Sequence, residues 1–178
     1  MGRIVAAPTA GSSGVIPAVL LYLQEQFGLD DDALKAGLVN AAAVGQIIAR
    51  NATVAGAEGG CQAEVGSASA MAASMAVELM GGTPAMCLDA AGIALANMLG
   101  LVCDPIGGLV ETPCQKRNAS GAANALVSAE MASAGIHSDA PFDEIVDAMA
   151  KVGRSLPYEL RETALGGMAA CPSCKKCR

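Results

Sequence analysis

The sequence contains very few aromatic residues. Its 178 residues include two tyrosines, two phenylalanines and no tryptophan, although 53% of them are hydrophobic. The core must therefore be built from Ala, Val, Leu, Ile and Met, and the length suits one domain with such a core. This composition favours helices that pack closely through Ala and Gly. No strand pattern of useful length is present apart from a short candidate at residues 4–6.

The sequence also lacks a basic patch, a membrane span and a secretory signal. Its net charge is −6, with acidic and basic residues mixed, which argues against a nucleic-acid partner. The apolar run at residues 15–23 is too short to cross a bilayer, and Asp89 and Asn97 interrupt the longer run at 85–102. The first residues do not follow the order of a secretory leader. We therefore expect a cytoplasmic protein whose seven cysteines are reduced and available to metals.

Helix start signals and apolar spacing predict an all-α fold, a compact bundle of small-residue-rich helices with cysteine-bearing loops. Ser12 or Ser13 is expected to cap the first helix, and Thr83 followed by Pro84 to start the fourth. The predicted helices cover residues 15–27, 30–51, 62–80, 84–99, 119–134 and 142–152. Residues 100–114 remain as a long loop with two cysteines, and such a loop is more often functional than incidental.

A glycine-rich turn precedes Cys61, and a helix rich in small residues follows it. The two glycines before this cysteine allow the backbone to turn sharply and to approach a bulky group. Free amides at a helix start stabilise negative charge, so we expect a thiolate here, the form that binds metals and clusters. Cys103 and Cys114 also lie in turn-like sequence beside Pro.

Three further side chains have a structural as well as a functional interpretation. Glu64 is either a group that positions ligands or handles protons, or an acid that the helix dipole favours in a first turn. We expect Cys87 to be a buried structural thiol and His137, the only histidine, to be a surface residue.

Residues 9–14 form a small polar turn before the first helix. Thr9, Ser12, Ser13 and several amides would lie at a helix N-terminus, which suits a carboxylate. An ordinary helix cap is the alternative, and the residues alone favour it.

The C-terminal Cys171, Cys174 and Cys177 have the C-x2-C-x2-C spacing of metal ligands. This tail could form its own zinc or iron site, reach the main site as a lid, or be a solvated, redox-labile terminus. The last interpretation is preferred.

Five segments closely resemble the iron–sulfur-dependent L-serine dehydratases, in their α chain or α domain. They are APTAGSSG at 7–14, AGAEGGCQAEVGSAS at 55–69, NMLGLVCDP at 97–105, GLVETPCQKRN at 108–118 and LRETALGG at 160–167. The resemblance covers residues 1–169 as one catalytic domain and leaves residues 170–178 as a cysteine-rich tail. It implies an all-helical domain that holds a [4Fe–4S] cluster through Cys61, Cys103 and Cys114, with the fourth iron free for substrate.

The resemblance also implies a reaction, and it implies that the catalytic groups are distributed over an α and a β chain or domain. Family members are L-serine ammonia-lyases of amino-acid catabolism and gluconeogenesis, which convert L-serine to pyruvate and ammonia. The general base is expected from a β chain or domain that this sequence does not contain, and an N-terminal part of the α region is also expected to be missing. His137 does not match the family's histidine motif, and an oligomer is expected.

On this basis we assign substrate-binding roles to two groups of residues. Thr9, Ser12, Ser13 and Gly14 would bind the carboxylate, and Lys116, Arg117 and Asn118 would contact substrate or cluster sulfur. Two rival functions are desulfidation of L-cysteine on the same scaffold and a non-catalytic iron–sulfur or zinc-binding subunit.

Overall fold

A computed structural model describes residues 5–175, and within that range the protein is helical. Its α-helices are α1 (Val15–Phe27), α2 (Asp31–Asn51), α3 (Gly56–Gly59), α4 (Ser67–Leu79), α5 (Pro84–Ala96), α6 (Cys114–Ser133), α7 (Phe142–Ser155) and α8 (Pro172–Lys175). A π-helical turn, Gln62–Gly66, precedes α4, and short 3-10 turns occur at Ala10–Ser12, Ile106–Gly108, Tyr158–Leu160 and Gly167–Ala170. The described residues contain no strand, and Val5 and Ala6 are irregular, whereas Ile4 of the expected strand lies outside the described range.

Helix α4 is the centre of the bundle. Every residue from 67 to 77 is buried, and α1, α2, α5 and α6 all pack against this helix. Two of its three serines satisfy their hydroxyls on neighbouring helices, since Ser69 donates to the Gly121 carbonyl at 2.9 Å and Ser74 to Asn40 Oδ1 at 2.6 Å. The prediction of a helix with neighbours on several sides is confirmed, although its first turn is π-helical.

Capping residues define two helix starts, and the cap at Thr83 was predicted. Asp30 accepts the Ala33 amide at 2.9 Å, and Thr83 accepts the Met86 amide at 3.3 Å with Pro84 in the first turn. Ser12 and Ser13 do not cap α1, because Gly14 occupies the cap position without a side-chain bond.

Apart from the π-helical start of α4, three helix boundaries differ from the prediction by three residues or more. Helix α7 ends at Ser155 rather than at residue 152. Helix α5 ends at Ala96 rather than at residue 99. Helix α6 begins at Cys114 rather than at residue 119, because Pro113 is compatible with a helix start and residues 115–118 contain no helix breaker. Cys114 therefore lies in the first turn of a helix and not in a loop.

Within residues 5–175, none of the helices combines the length and the apolar character that a membrane-crossing helix requires.

The close packing of α6 against α4 predicts that enlarging a buried alanine destabilises the protein. Ala125 on α6 is fully buried, so Ala125→Leu should lower the free energy of unfolding by about 1–3 kcal/mol. Ala119→Leu is the matched control, because residue 119 is exposed on the same helix and the change in helix propensity is identical. Urea unfolding measures the free energy of unfolding of both variants. An equal decrease in the two variants would contradict tight packing at Ala125.

Candidate functional site

Cys61 lies between α3 and the π-helical turn. Gly60 makes the bend with φ of +76°, and a Cβ there would lie 2.8 Å from the Leu101 carbonyl oxygen, so only glycine fits. The Gln62 amide donates to that same carbonyl at 2.9 Å. The sharp turn predicted before Cys61 is confirmed, and the segment before Cys103 is held against Cys61. π-Helical turns are frequent at functional sites.

Cys103 lies in extended backbone that pairs with the C-terminal part of the chain. Its amide donates to the Leu160 carbonyl at 2.9 Å, and the Glu162 amide donates to its carbonyl at 2.8 Å. These bonds form the isolated parallel bridge between Cys103 and Arg161.

A buried ion pair ties the Cys103 segment to α6, which begins with Cys114. The Arg117 guanidinium donates to Asp104 Oδ1 at 2.6 Å and to the Val102 carbonyl at 2.8 Å. Asp104 Oδ2 accepts the Met168 amide at 2.7 Å. Sequence reasoning missed Asp104, whose partners lie far along the chain; its position directly after a cysteine was the only signal.

The three cysteines predicted as cluster ligands are buried and interact electrostatically with one another. Cys61, Cys103 and Cys114 are 2%, 4% and 8% exposed. Burial raises the pKa of all three thiols, to about 11 for Cys61, and the negative charge of Glu64 adds to the rise. Neighbouring thiols also raise the pKa of Cys61 and Cys103, whereas Arg117 lowers the pKa of Cys61 and Cys114.

These shifts correct the expectation that the helix start yields a thiolate at Cys61. A bond from the Val65 amide does favour the thiolate, but burial outweighs it in the metal-free protein. The donor set suits a polynuclear iron centre, whose positive charge would stabilise three thiolates. Among residues 5–175 no group of His, Cys, Asp or Glu side chains is arranged to hold a single metal ion. Ligands of a cluster differ from that arrangement, because each thiolate binds a different iron.

Glu64 connects the cysteine site to the turn at residues 9–14. Its carboxylate accepts the Thr9 hydroxyl at 2.7 Å and the Cys103 thiol at 3.8 Å. Burial raises its pKa, and the Thr9 hydrogen bond opposes that rise. Gly56 provides the space, since a Cβ there would lie 2.6 Å from Glu64 Oε2 and 3.0 Å from Cys103 Sγ. The contacts are those of a group that positions its neighbours.

Asn118 fixes the position of the same turn. Its side-chain amide donates to the Gly11 and Cys114 carbonyls, both at 2.7 Å, and its Oδ1 accepts the Gly14 amide at 2.8 Å. The Gly14 amide is therefore already paired. A cavity of about 320 Å³ opens beside this arrangement, and its lining includes Ser13, Gly14, Cys114 and Asn118.

The other residues assigned to substrate binding differ in accessibility. Ser13 is half-buried, and its hydroxyl donates to the Ala10 carbonyl at 2.9 Å. Ser12 is fully buried, with its hydroxyl 3.1 Å from that of Thr9, so it supports the turn from inside. Lys116 is exposed, whereas Arg117 is occupied by Asp104.

As predicted, Cys87 is a buried thiol and His137 is a surface residue. Cys87 is buried, with Asn40 Nδ2 at 3.8 Å and Glu78 Oε2 at 4.0 Å. His137 is 82% exposed, and its Nδ1 lies 2.9 Å from Asp89 Oδ2.

In the tail, Cys171 and Cys174 are half-buried, and the Cys171 thiol donates to the Gly167 carbonyl at 3.9 Å. Helix α8 packs against the turn Ile106–Gly108. Cys177 lies outside the described residues.

Comparison with known proteins supplies an independent result. A family model described as "Serine dehydratase alpha chain" matches residues 1–169. The chain is 55% identical over 178 residues to "L-serine dehydratase, alpha chain" of Peptoniphilus asaccharolyticus, covering 100% of this chain and 61% of that protein. It is 54% identical over 173 residues to "Probable L-serine dehydratase, alpha chain" of Bacillus subtilis, covering 97% and 58%. The chain thus spans about three fifths of the length of these two relatives.

The three bonds of Asn118 predict a large effect of its removal. Asn118→Ala should lower the free energy of unfolding by about 3 kcal/mol, at about 1 kcal/mol for each bond. Asn51→Ala is the control, because Asn51 is exposed and donates only to the Ile47 carbonyl within its own helix. Urea unfolding gives the stabilities, and hydrogen exchange should show a less protected Gly14 amide in Asn118→Ala. Equal stabilities and unchanged exchange would mean that Asn118 does not hold the turn.

Proposed function

Because the chain belongs to the serine dehydratase alpha chain family, we propose that it is the cluster-bearing part of an L-serine ammonia-lyase, which forms pyruvate and ammonia. One observation carries the proposal beyond family membership. Three buried cysteines from separate segments interact electrostatically, and one of them, Cys114, lines a cavity together with a small polar turn.

Cys61, Cys103 and Cys114 would hold a [4Fe–4S] cluster. Their burial and mutual repulsion as thiolates support this proposal, because a cationic iron centre relieves both effects. When bound, such a cluster supplies a Lewis-acidic iron for the hydroxyl group of L-serine.

The turn at residues 9–14 would bind the substrate carboxylate. Ser13 lines the cavity, and its hydroxyl can exchange the Ala10 carbonyl for a carboxylate oxygen. Thr9 and Ser12 would support the turn through Glu64 and through their mutual contact, whereas Asn118 fixes it relative to Cys114. Gly14 allows the close approach of Asn118, since a Cβ at position 14 would lie 3.1 Å from Asn118 Oδ1.

Lys116 would provide an exposed positive charge on the first turn of α6, and Arg117 would hold the two cysteine segments together.

The general base would come from a second chain or domain of β type. The single histidine is bound to Asp89 at the surface, so it does not supply a base to the cavity. Glu64 is already engaged by Thr9 and Cys103.

The ligand assignment predicts the effect of cysteine substitutions. Cys61→Ser, Cys103→Ser and Cys114→Ser should each abolish the iron–sulfur absorption after anaerobic reconstitution, because a thiolate ligand is lost. Cys87→Ser is the control and should retain full absorption and iron content, since its thiol contacts Asn40 and Glu78 instead. A ligand variant that retained a complete cluster would remove its residue from the set.

The absence of a suitable base among the described residues predicts that the chain alone is a poor catalyst. Loss of general acid–base catalysis typically costs about 10²–10⁴-fold, so the reconstituted chain should form pyruvate at no more than a trace rate. Addition of a β chain from a relative should restore the rate without changing the iron content. If the chain alone formed pyruvate at a rate comparable to that of the complex with a β chain, the base would lie within this chain, and Glu64 would be the first residue to test.

Substrate comparison tests the proposed reaction against its rivals. Steady-state rates on the reconstituted complex should be highest with L-serine, lower with L-threonine, and low for sulfide release from L-cysteine. Faster sulfide release would favour a desulfidase. A complex with full cluster content and no activity on any of the three would indicate a non-catalytic metal-binding subunit.

A further inference from the structure

A second cavity, of about 400 Å³, lies between the C-terminal end of α2, helix α3 and helix α7. Its lining includes Thr53, Glu58, Gly59, Arg154 and Arg161, and it shares no lining residue with the cavity beside Cys114. The proposed reaction uses none of these side chains.

Two arginines in this cavity lack an anionic partner. Arg161 is half-buried, and its Nε is inaccessible to solvent yet has no hydrogen-bond acceptor among the described residues. Arg154 is exposed, and within residues 5–175 neither arginine takes part in an ion pair. Buried polar groups are normally satisfied, and a guanidinium can only donate, so Arg161 requires an acceptor from a ligand, water or another chain.

Glu58 is the one acidic side chain in the lining, and it accepts a hydrogen bond from Thr53. The Thr53 hydroxyl donates to Glu58 Oε2 at 2.6 Å, and the Ala55 amide fixes Thr53 by donating to the same hydroxyl at 3.1 Å. Glu58 lies beyond ion-pair distance of both arginines. Two guanidinium groups and one carboxylate leave the lining with a positive charge.

Close packing of two glycines brings the arginines and α3 together. A Cβ at Gly153 would lie 2.8 Å from Gly59 Cα, so α7 approaches α3 closely at this glycine. Arg154 is the next residue of α7. Arg161 is held by the neighbouring bonds of Leu160 and Glu162 to Cys103. The cavity therefore borders the segment that leads to Cys61 and the segment that pairs with Cys103.

We propose that this cavity is a binding site for a small oxyanion, a carboxylate or a phosphate, held by Arg154 and Arg161. The guanidinium fork presents paired donors that match two oxygens of either group, and a partly desolvated site strengthens such bonds. The proposal does not depend on the proposed reaction, because it concerns the charge and geometry of a separate cavity.

Isothermal titration calorimetry of the full chain tests the site, with inorganic phosphate and succinate as separate probes at constant ionic strength. At least one probe should bind saturably at one site per chain, and the tighter probe identifies the chemical class. Arg161→Gln and Arg154→Gln should each weaken binding at least tenfold. Glu58→Gln should tighten it, because it removes the opposing charge.

Lys35→Gln is the matched control, since it also removes one positive charge but far from the cavity. Lys35 lies in the N-terminal part of α2, and at 1.5 Å per residue it is about 24 Å along the helix from Asn51 at the cavity. It should bind as the natural chain does. Circular dichroism checks folding, and the exposed Arg154 decides the result if Arg161→Gln does not fold. Three results would each overturn the proposal: no saturable binding of either probe, equal weakening by Lys35→Gln, or binding that the Arg154 and Glu58 variants leave unchanged.

Discussion

Three thiols and a carboxylate are buried together beside the Arg117 guanidinium. Each thiolate would repel the others and Glu64 in a site that solvent hardly reaches, so burial and charge raise the pKa of all three thiols. The proposed iron centre would supply positive charge that stabilises the thiolates. The remaining architecture holds the segments that bring these groups together.

Long-range hydrogen bonds provide that support. The Asp104–Arg117 pair connects the segment of Cys103 to the helix of Cys114, and Glu64 connects Cys103 to the turn at Thr9. Asn118 links that turn back to Cys114. Breaking a buried pair of this kind is costly, because the remaining charge has no solvent to stabilise it. The contacts thus make one unit of the cysteine site and the proposed carboxylate site.

The predictions succeeded where local chemistry decides structure. Asp30 and the Thr83–Pro84 pair mark helix starts through their own side chains, and the small residues of α4 indicate a helix buried on all sides. They failed where distant groups decide. Gly14, rather than Ser12 or Ser13, occupies the cap position of α1, and its amide donates to Asn118, 104 residues away. The pKa of Cys61 depends on burial, on Arg117 and Glu64 and, to a smaller extent, on Cys114, and no local motif reveals these neighbours.

Mössbauer spectroscopy of the chain reconstituted anaerobically with iron-57 tests the central claim most directly. Three cysteine ligands predict a cluster of about four irons in which one site differs from the other three, because it lacks a thiolate. Addition of L-serine should shift the signal of that site alone. A protein that takes up no cluster, or one whose four irons are equivalent and unaffected by L-serine, would contradict the account.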